Sequence, residues 1–217
     1  MRIRIHFHKT AAMRYTGHLD LHKTWERSFR RAQLPLAYSQ GFHPQPRINL
    51  ACALPLGFTS EAELLDVWLE SAVALADVNE SLTRAVPPGI RITSLAEITG
   101  REPALQVQVQ SAVYEVTFLE DIPELDERIL GLLNAAALPR ERRGKAYDLR
   151  PLIETLKRIA DSQAGKQRCE VQLSAREAAT GRPEELLDAL GTDPLAARVH
   201  RVQLLLADLQ PTELAEP

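Results

Sequence analysis

Between Arg14 and Gly57 the chain reads RYTGHLDLHKTWERSFRRAQLPLAYSQGFHPQPRINLACALPLG, and the side chains there that could do chemistry are mostly cations and rings. Lys23, Arg27, Arg30 and Arg31 fall at i, i+4, i+7 and i+8, which is one stripe of a helix. Arg4, Lys9, Arg14 and Arg47 join them from either side. Cations grouped in this way neutralise backbone phosphates, giving affinity that falls with salt and is indifferent to sequence. Tyr15, Tyr38, Phe42 and His43 border the helix in two loops, with His18 at its start, and rings beside cations hold unpaired bases by stacking. These thirteen positions form the expected nucleic-acid-binding set, with RNA as the expected ligand. The same cations also suit a solvated helix face, and the same rings suit loop anchors, so spacing alone leaves both readings open.

Asp20 is the one candidate for catalysis. It sits in GHLDL at a loop-to-helix junction among cations, which would keep its carboxylate ionised beside a bound nucleotide; as a helix N-cap it would need no chemistry at all. His6 and His8 share a strand face, and His18 and His22 share a helix face, but no third ligand stands at metal-binding spacing, so no metal is expected. Phosphate-loop, dinucleotide and Ser/His/Asp patterns are absent.

The elements that must carry these residues follow from periodicity. Arg2 to His8 alternates, with Ile3, Ile5 and Phe7 on one side and a basic side that reads as wet. Leu21, Trp25, Phe29 and Ala32 give the next helix its apolar stripe, and Pro35 stops it. Strands are expected at 48–54, 64–69 and 90–98, with a helix from Asp77 to Val86 whose start resembles a capping box. The order β-α-β-β-α-β is that of a ferredoxin-like unit. After a polar break at 99–103 the pattern repeats: a strand at 106–119, a helix at 122–137, strands at 147–161 and 166–174, a helix at 183–190 and a strand at 198–207. Residues 147–161 fit a helix by period, yet the repeat requires a strand there. The expected fold is α+β, two tandem ferredoxin-like (βαββαβ) domains with antiparallel sheets, at 1–100 and 104–210, followed by a polar tail at 211–217.

Composition sets the outer limits. The 217 residues are 45% hydrophobic and 25% charged, ordinary for a globular protein of this length. The net charge of -3 conceals an asymmetry: residues 1–50 hold nine Lys/Arg against Asp20 and Glu26, while the remainder holds 17 basic and 27 acidic residues. One end therefore attracts polyanions. Cys52 and Cys169 lie in apolar runs as core-type thiols, and no segment has the length of a signal or membrane span, so the expected location is cytoplasmic.

At RYTGHLDL, AYSQGFHPQPRI and ALPLG, and again at DLRPLI and GRPEELLDALG, the chain resembles the radical SAM-linked, or radical SAM-associated, bacterial family described by a domain of unknown function, DUF2344. The resemblance covers nearly the whole chain. In that family the domain occurs separately or fused behind a radical SAM module, so it implies a radical SAM partner, with no assigned substrate or catalytic residues. No CxxxCxxC triad is present, and two cysteines cannot hold the iron-sulfur cluster, so no cofactor is expected in this chain. The Leu-Asp after Gly at Asp20 is also similar to the catalytic-aspartate segment of pseudouridine synthases. The expectation is a non-catalytic RNA-binding accessory protein that works on tRNA or rRNA with a radical SAM enzyme. The alternatives are an RNA-modifying enzyme using Asp20 and a protein-binding adaptor without nucleic acid.

Overall fold

The computed structural model describes residues 1–207 apart from residue 143, so the expected tail at 211–217 lies outside the described residues. In chain order the elements are β1 (Arg2–Lys9), α1 (His18–Arg31), β2 (Ile48–Leu50), β3 (Thr59–Trp68), α2 (Leu75–Ala85), β4 (Ile90–Glu97), α3 (Leu105–Gln108), β5 (Val109–Phe118), α4 (Leu125–Asn134), β6 (Pro139–Arg142), β7 (Lys145–Asp148), β8 (Ile153–Ile159), β9 (Arg168–Arg176), β10 (Ala179–Thr180), α5 (Pro183–Ala189) and β11 (Ala197–Leu206).

The class is α+β, with a large, mostly antiparallel sheet. Its strands run β10-β9-β5-β11-β3-β1-β4, with β2 added to β3 and β8 to β9, while β6 and β7 form a separate two-stranded ribbon. The two halves of the chain do not close into separate sheets. They join where β11 runs parallel to β3, pairing His200 with Thr59 and Arg201 with Ser60. Residues 147–161 contain the strand β8, paired with β9 across a turn in which Gly165 N–H donates to the Ser162 carbonyl.

Side-chain alternation explains the packing on each half. Ile3, Ile5 and Phe7 of β1 meet Leu21, Trp25 and Phe29 of α1 and Val78 and Leu82 of α2 in one core. Phe7 and Trp25 stack edge-on with centroids 4.8 Å apart. In the other half Val116, Phe118, Val171 and Leu173 of the sheet pack on Leu125, Ile129 and Leu132 of α4 and on Leu186 and Leu187 of α5. Ala51 and Leu64 cluster with Leu105 and Val109 between the two.

Two expectations need correction. Helix α1 begins at His18 with Gly17 as its extended N-cap, so Asp20 lies inside the first turn, where its charge suits the helix dipole, and is not the cap. Helix α2 begins at Leu75 without a side-chain cap, ahead of the box expected at Asp77. The polar break at 99–103 is bound to the first strand: Arg2 donates to the carbonyls of Glu102 at 2.9 Å and Pro103 at 3.0 Å.

Candidate nucleic-acid interface

Burial of Leu21, Trp25 and Phe29 fixes the rotation of α1 and turns Lys23, Arg27, Arg30 and Arg31 outward, where all four are exposed. Arg30 pairs with Glu26 one turn earlier at 2.8 Å, a contact worth little in water. Arg31 donates to the Ala85 carbonyl at 2.9 Å, which ties α1 to the end of α2. Among the described residues, Lys23, Arg27 and Arg31 have no carboxylate within ion-pair distance. Arg27 and Arg31 also line a shallow cavity of about 280 Å³ with Met13, Thr24, Ser28, Pro87 and Pro88.

The bordering loops present their rings to solvent. Phe42 is fully exposed and Tyr15 is 75% exposed, so both rings are accessible for stacking on a ligand. Tyr38 pairs with Pro46, and Ser39 N–H donates to the Gln45 carbonyl at 2.8 Å; this narrow stem carries Phe42 and His43 at its exposed tip. The guanidinium of Arg47 lies 4.8 Å from the Trp68 ring, whose surroundings also include that of Arg2 at 5.0 Å.

Other residues of the expected set point inward. Arg4 is buried, with Nε donating to Asp66 at 2.9 Å and a guanidinium nitrogen 3.3 Å from Glu102. Burial opposes its charge, and the Asp66 carboxylate outweighs that, so its pKa is raised. Lys9 has no exposed surface; its Nζ donates to the Phe58 carbonyl at 2.9 Å and the Arg14 carbonyl at 3.3 Å, and burial lowers its pKa to about 8. Neither cation can reach a phosphate from there. The wet, basic face expected for β1 is thus partly covered, because chain at residue 102 folds over Arg4. Arg14 and His18 are half-buried. Burial, aided by His22, lowers the His18 pKa. Asp20 is exposed, and its carboxylate makes no hydrogen bond or ion pair with any described residue, so the geometry supplies it neither a proton acceptor nor a positioning cation.

Sequence reasoning missed a buried charged network at the junction of the halves. Arg201 of β11 and Glu63 of β3 are 0% and 2% exposed and pair at 2.9 Å. Arg201 Nη2 also donates to the Ala53 carbonyl at 2.6 Å, lies 3.8 Å from Cys52 Sγ and 3.4 Å from Tyr114 Oη, and its guanidinium lies 5.4 Å from the Tyr114 ring. Burial raises the Cys52 and Tyr114 pKa values despite that cation, so neither is an activated nucleophile. Cys52, Ala53 and Tyr114 line a cleft of about 580 Å³ between the halves. It adjoins a second of about 510 Å³, sharing Arg142, Glu177, Thr180 and Arg182. The hint in the sequence was a lone Arg between Val199 and Val202, ahead of Leu204 to Leu206.

Among the described residues there is no cluster of three or more His, Cys, Asp or Glu able to hold a metal ion, and no helix long and apolar enough to cross a membrane. A family model described as an uncharacterized protein conserved in bacteria, DUF2344, matches residues 2–183, and the chain belongs to that family. No curated protein matches it. Of solved structures, it is similar to a chain in "Structure of H/ACA RNP bound to a substrate RNA containing 2'-deoxyuridine", at 9% identity and a TM-score of 0.45. The match covers 92% of this chain and 46% of that one, and a likeness so slight carries no argument about fold or function.

Proposed function

We propose that this DUF2344 protein is a non-catalytic RNA-binding accessory that presents a tRNA or rRNA segment to a radical SAM enzyme. The observation that carries the RNA reading is the outer face of α1: Lys23, Arg27 and Arg31 stand exposed without carboxylate partners, between loops that hold Tyr15 and Phe42 in solvent. The radical SAM arm rests on the resemblance of Arg14 to Gly57 to the radical SAM-linked family, and two cysteines place any such cluster in a partner chain. The reading treats 1–100 and 104–210 as two βαββαβ units, supported by the matching strand orders β4-β1-β3-β2 and β11-β5-β9-β8. Free thiols at Cys52 and Cys169 accord with a reducing cytoplasm.

The test is binding of structured RNA as a function of salt. Three to four phosphate contacts lower affinity on the order of a hundredfold between ~50 and ~200 mM salt. The triple variant Lys23→Glu, Arg27→Glu, Arg30→Glu spares Arg31, which holds α2, and should abolish that binding without changing the fold. Affinity unchanged by the triple variant would remove the RNA reading. Retention of an acidic protein partner after nuclease treatment, lost in the same variant, would replace it with the adaptor reading.

A further inference from the structure

We infer that the cleft between the two halves is a binding site for one nucleotide, and that an unpaired nucleotide of the bound RNA occupies it. The inference rests on the RNA reading for the source of the nucleotide, but the site itself is argued from separate residues. The cleft and its neighbour have volumes of about 580 and 510 Å³, each within the range of small-ligand sites, and they share a wall formed by Arg142, Glu177 and Thr180.

Its cations come from the β6–β7 ribbon, which stands apart from the main sheet: Arg142 lines both cavities and Lys145 lines the neighbouring one. Both are exposed, and neither has a carboxylate within ion-pair distance among the described residues. They are therefore available to a phosphate. Two carboxylates face these cavities, Glu177 in both and Asp148 in the neighbouring one. Asp148 Oδ1 accepts from the backbone N–H groups of Leu138 and Arg150 while its Oδ2 takes no hydrogen bond from a described residue, and Glu177 makes none, so either carboxylate can accept from an amino or imino group of a base.

The floor is rigid because Arg201 anchors it. Its guanidinium is committed to Glu63, to the Ala53 carbonyl and to Tyr114, so it fixes the surface of Cys52, Ala53 and Tyr114 without itself meeting a ligand. The route from α1 is short. Gly57 N–H donates to the Arg14 carbonyl at 3.0 Å, so the loop that begins at the cleft with Cys52 ends against the chain leading into α1. On this reading an RNA held on α1 places one flipped residue in the cleft.

The experiment titrates the full-length protein with each of the four nucleoside 5'-monophosphates and follows backbone amide shifts. Saturable shifts at Cys52, Ala53, Thr180 and Gly181 are expected. The double variant Arg142→Ala, Lys145→Ala, altering two exposed side chains, should weaken that binding tenfold or more. Lys23→Glu, Arg27→Glu, Arg30→Glu should leave it unchanged while losing RNA, so failure of the RNA reading and failure of the cleft are read separately. Absence of shifts in the cleft at millimolar nucleotide, or shifts insensitive to the double variant, overturns the inference.

Discussion

Arg201 is wholly buried, and its charge is balanced by Glu63 at 2.9 Å and by the oxygens of Ala53 and Tyr114. Such a pair costs more to bury than a well-packed apolar pair, so its main effect is to fix geometry. Arg201→Met leaves the Glu63 carboxylate buried and unpaired and should cost about 3–5 kcal/mol in urea unfolding. Adding Glu63→Met should return most of that loss, whereas a double variant no more stable than the single one would show that the pair stabilises in its own right. Lys9 gives a second residue-scale prediction. Burial lowers its pKa from 10.5 to about 8, so between pH 8 and 10.5 the unfolded chain binds more protons than the folded one. Stability contributed through Lys9 therefore rises with pH across that window and is constant below it. The stability of wild type minus that of Lys9→Met should increase by a few kcal/mol from pH 8 to 10.5; a flat difference would mean that Lys9 is hydrated.

At the scale of elements, the approach of the Ala11–Met13 turn to the turn before β4 requires a residue without a side chain. Gly89 has φ +102, and a Cβ there would lie 2.6 Å from Met13 Cγ and 3.0 Å from its backbone nitrogen. Gly100 has φ +86 with nothing within 4 Å. Gly89→Ala should therefore lower stability by about 1–3 kcal/mol, more than Gly100→Ala, which carries backbone strain alone; equal losses, compared by urea midpoints, would remove the crowding. Elements with a single buried face were legible in the sequence. The alternation of Ile3, Ile5 and Phe7 and the stripe of Leu21, Trp25 and Phe29 placed β1 and α1 because one face of each enters the core. The ribbon β6–β7 was not legible, because PRER and KAYD are short and charged and carry no alternation. Arg4 was misplaced for a related reason: period 2 separates two faces of a strand but cannot say that distant chain covers the second one; Lys9 instead ends β1, with its amine turned onto the Phe58 carbonyl. The cleft lay beyond reach as well, since Cys52, Tyr114, Arg142 and Thr180 meet only through strand order.

For the whole molecule, the decisive feature is that the halves share one sheet and a buried seam. The parallel pairing of β11 with β3 spans only two register pairs, yet the seam also contains Arg201–Glu63, and Leu54 and Phe58 of the first half lie in the core of the second. Separation would uncover Leu54 and Phe58, a penalty of about 3–6 kcal/mol, and would exchange the Arg201–Glu63 pair for hydration. Unfolding should therefore be one cooperative transition. At about 0.7 kcal/mol per residue, 217 residues have an unfolding enthalpy of about 150 kcal/mol near 60 °C. In a reversible calorimetric scan the van't Hoff enthalpy should match that value. Two units melting independently would give roughly half of it, and that result would mean that the seam is a contact between autonomous domains, leaving the cleft between them free to open and without a fixed floor.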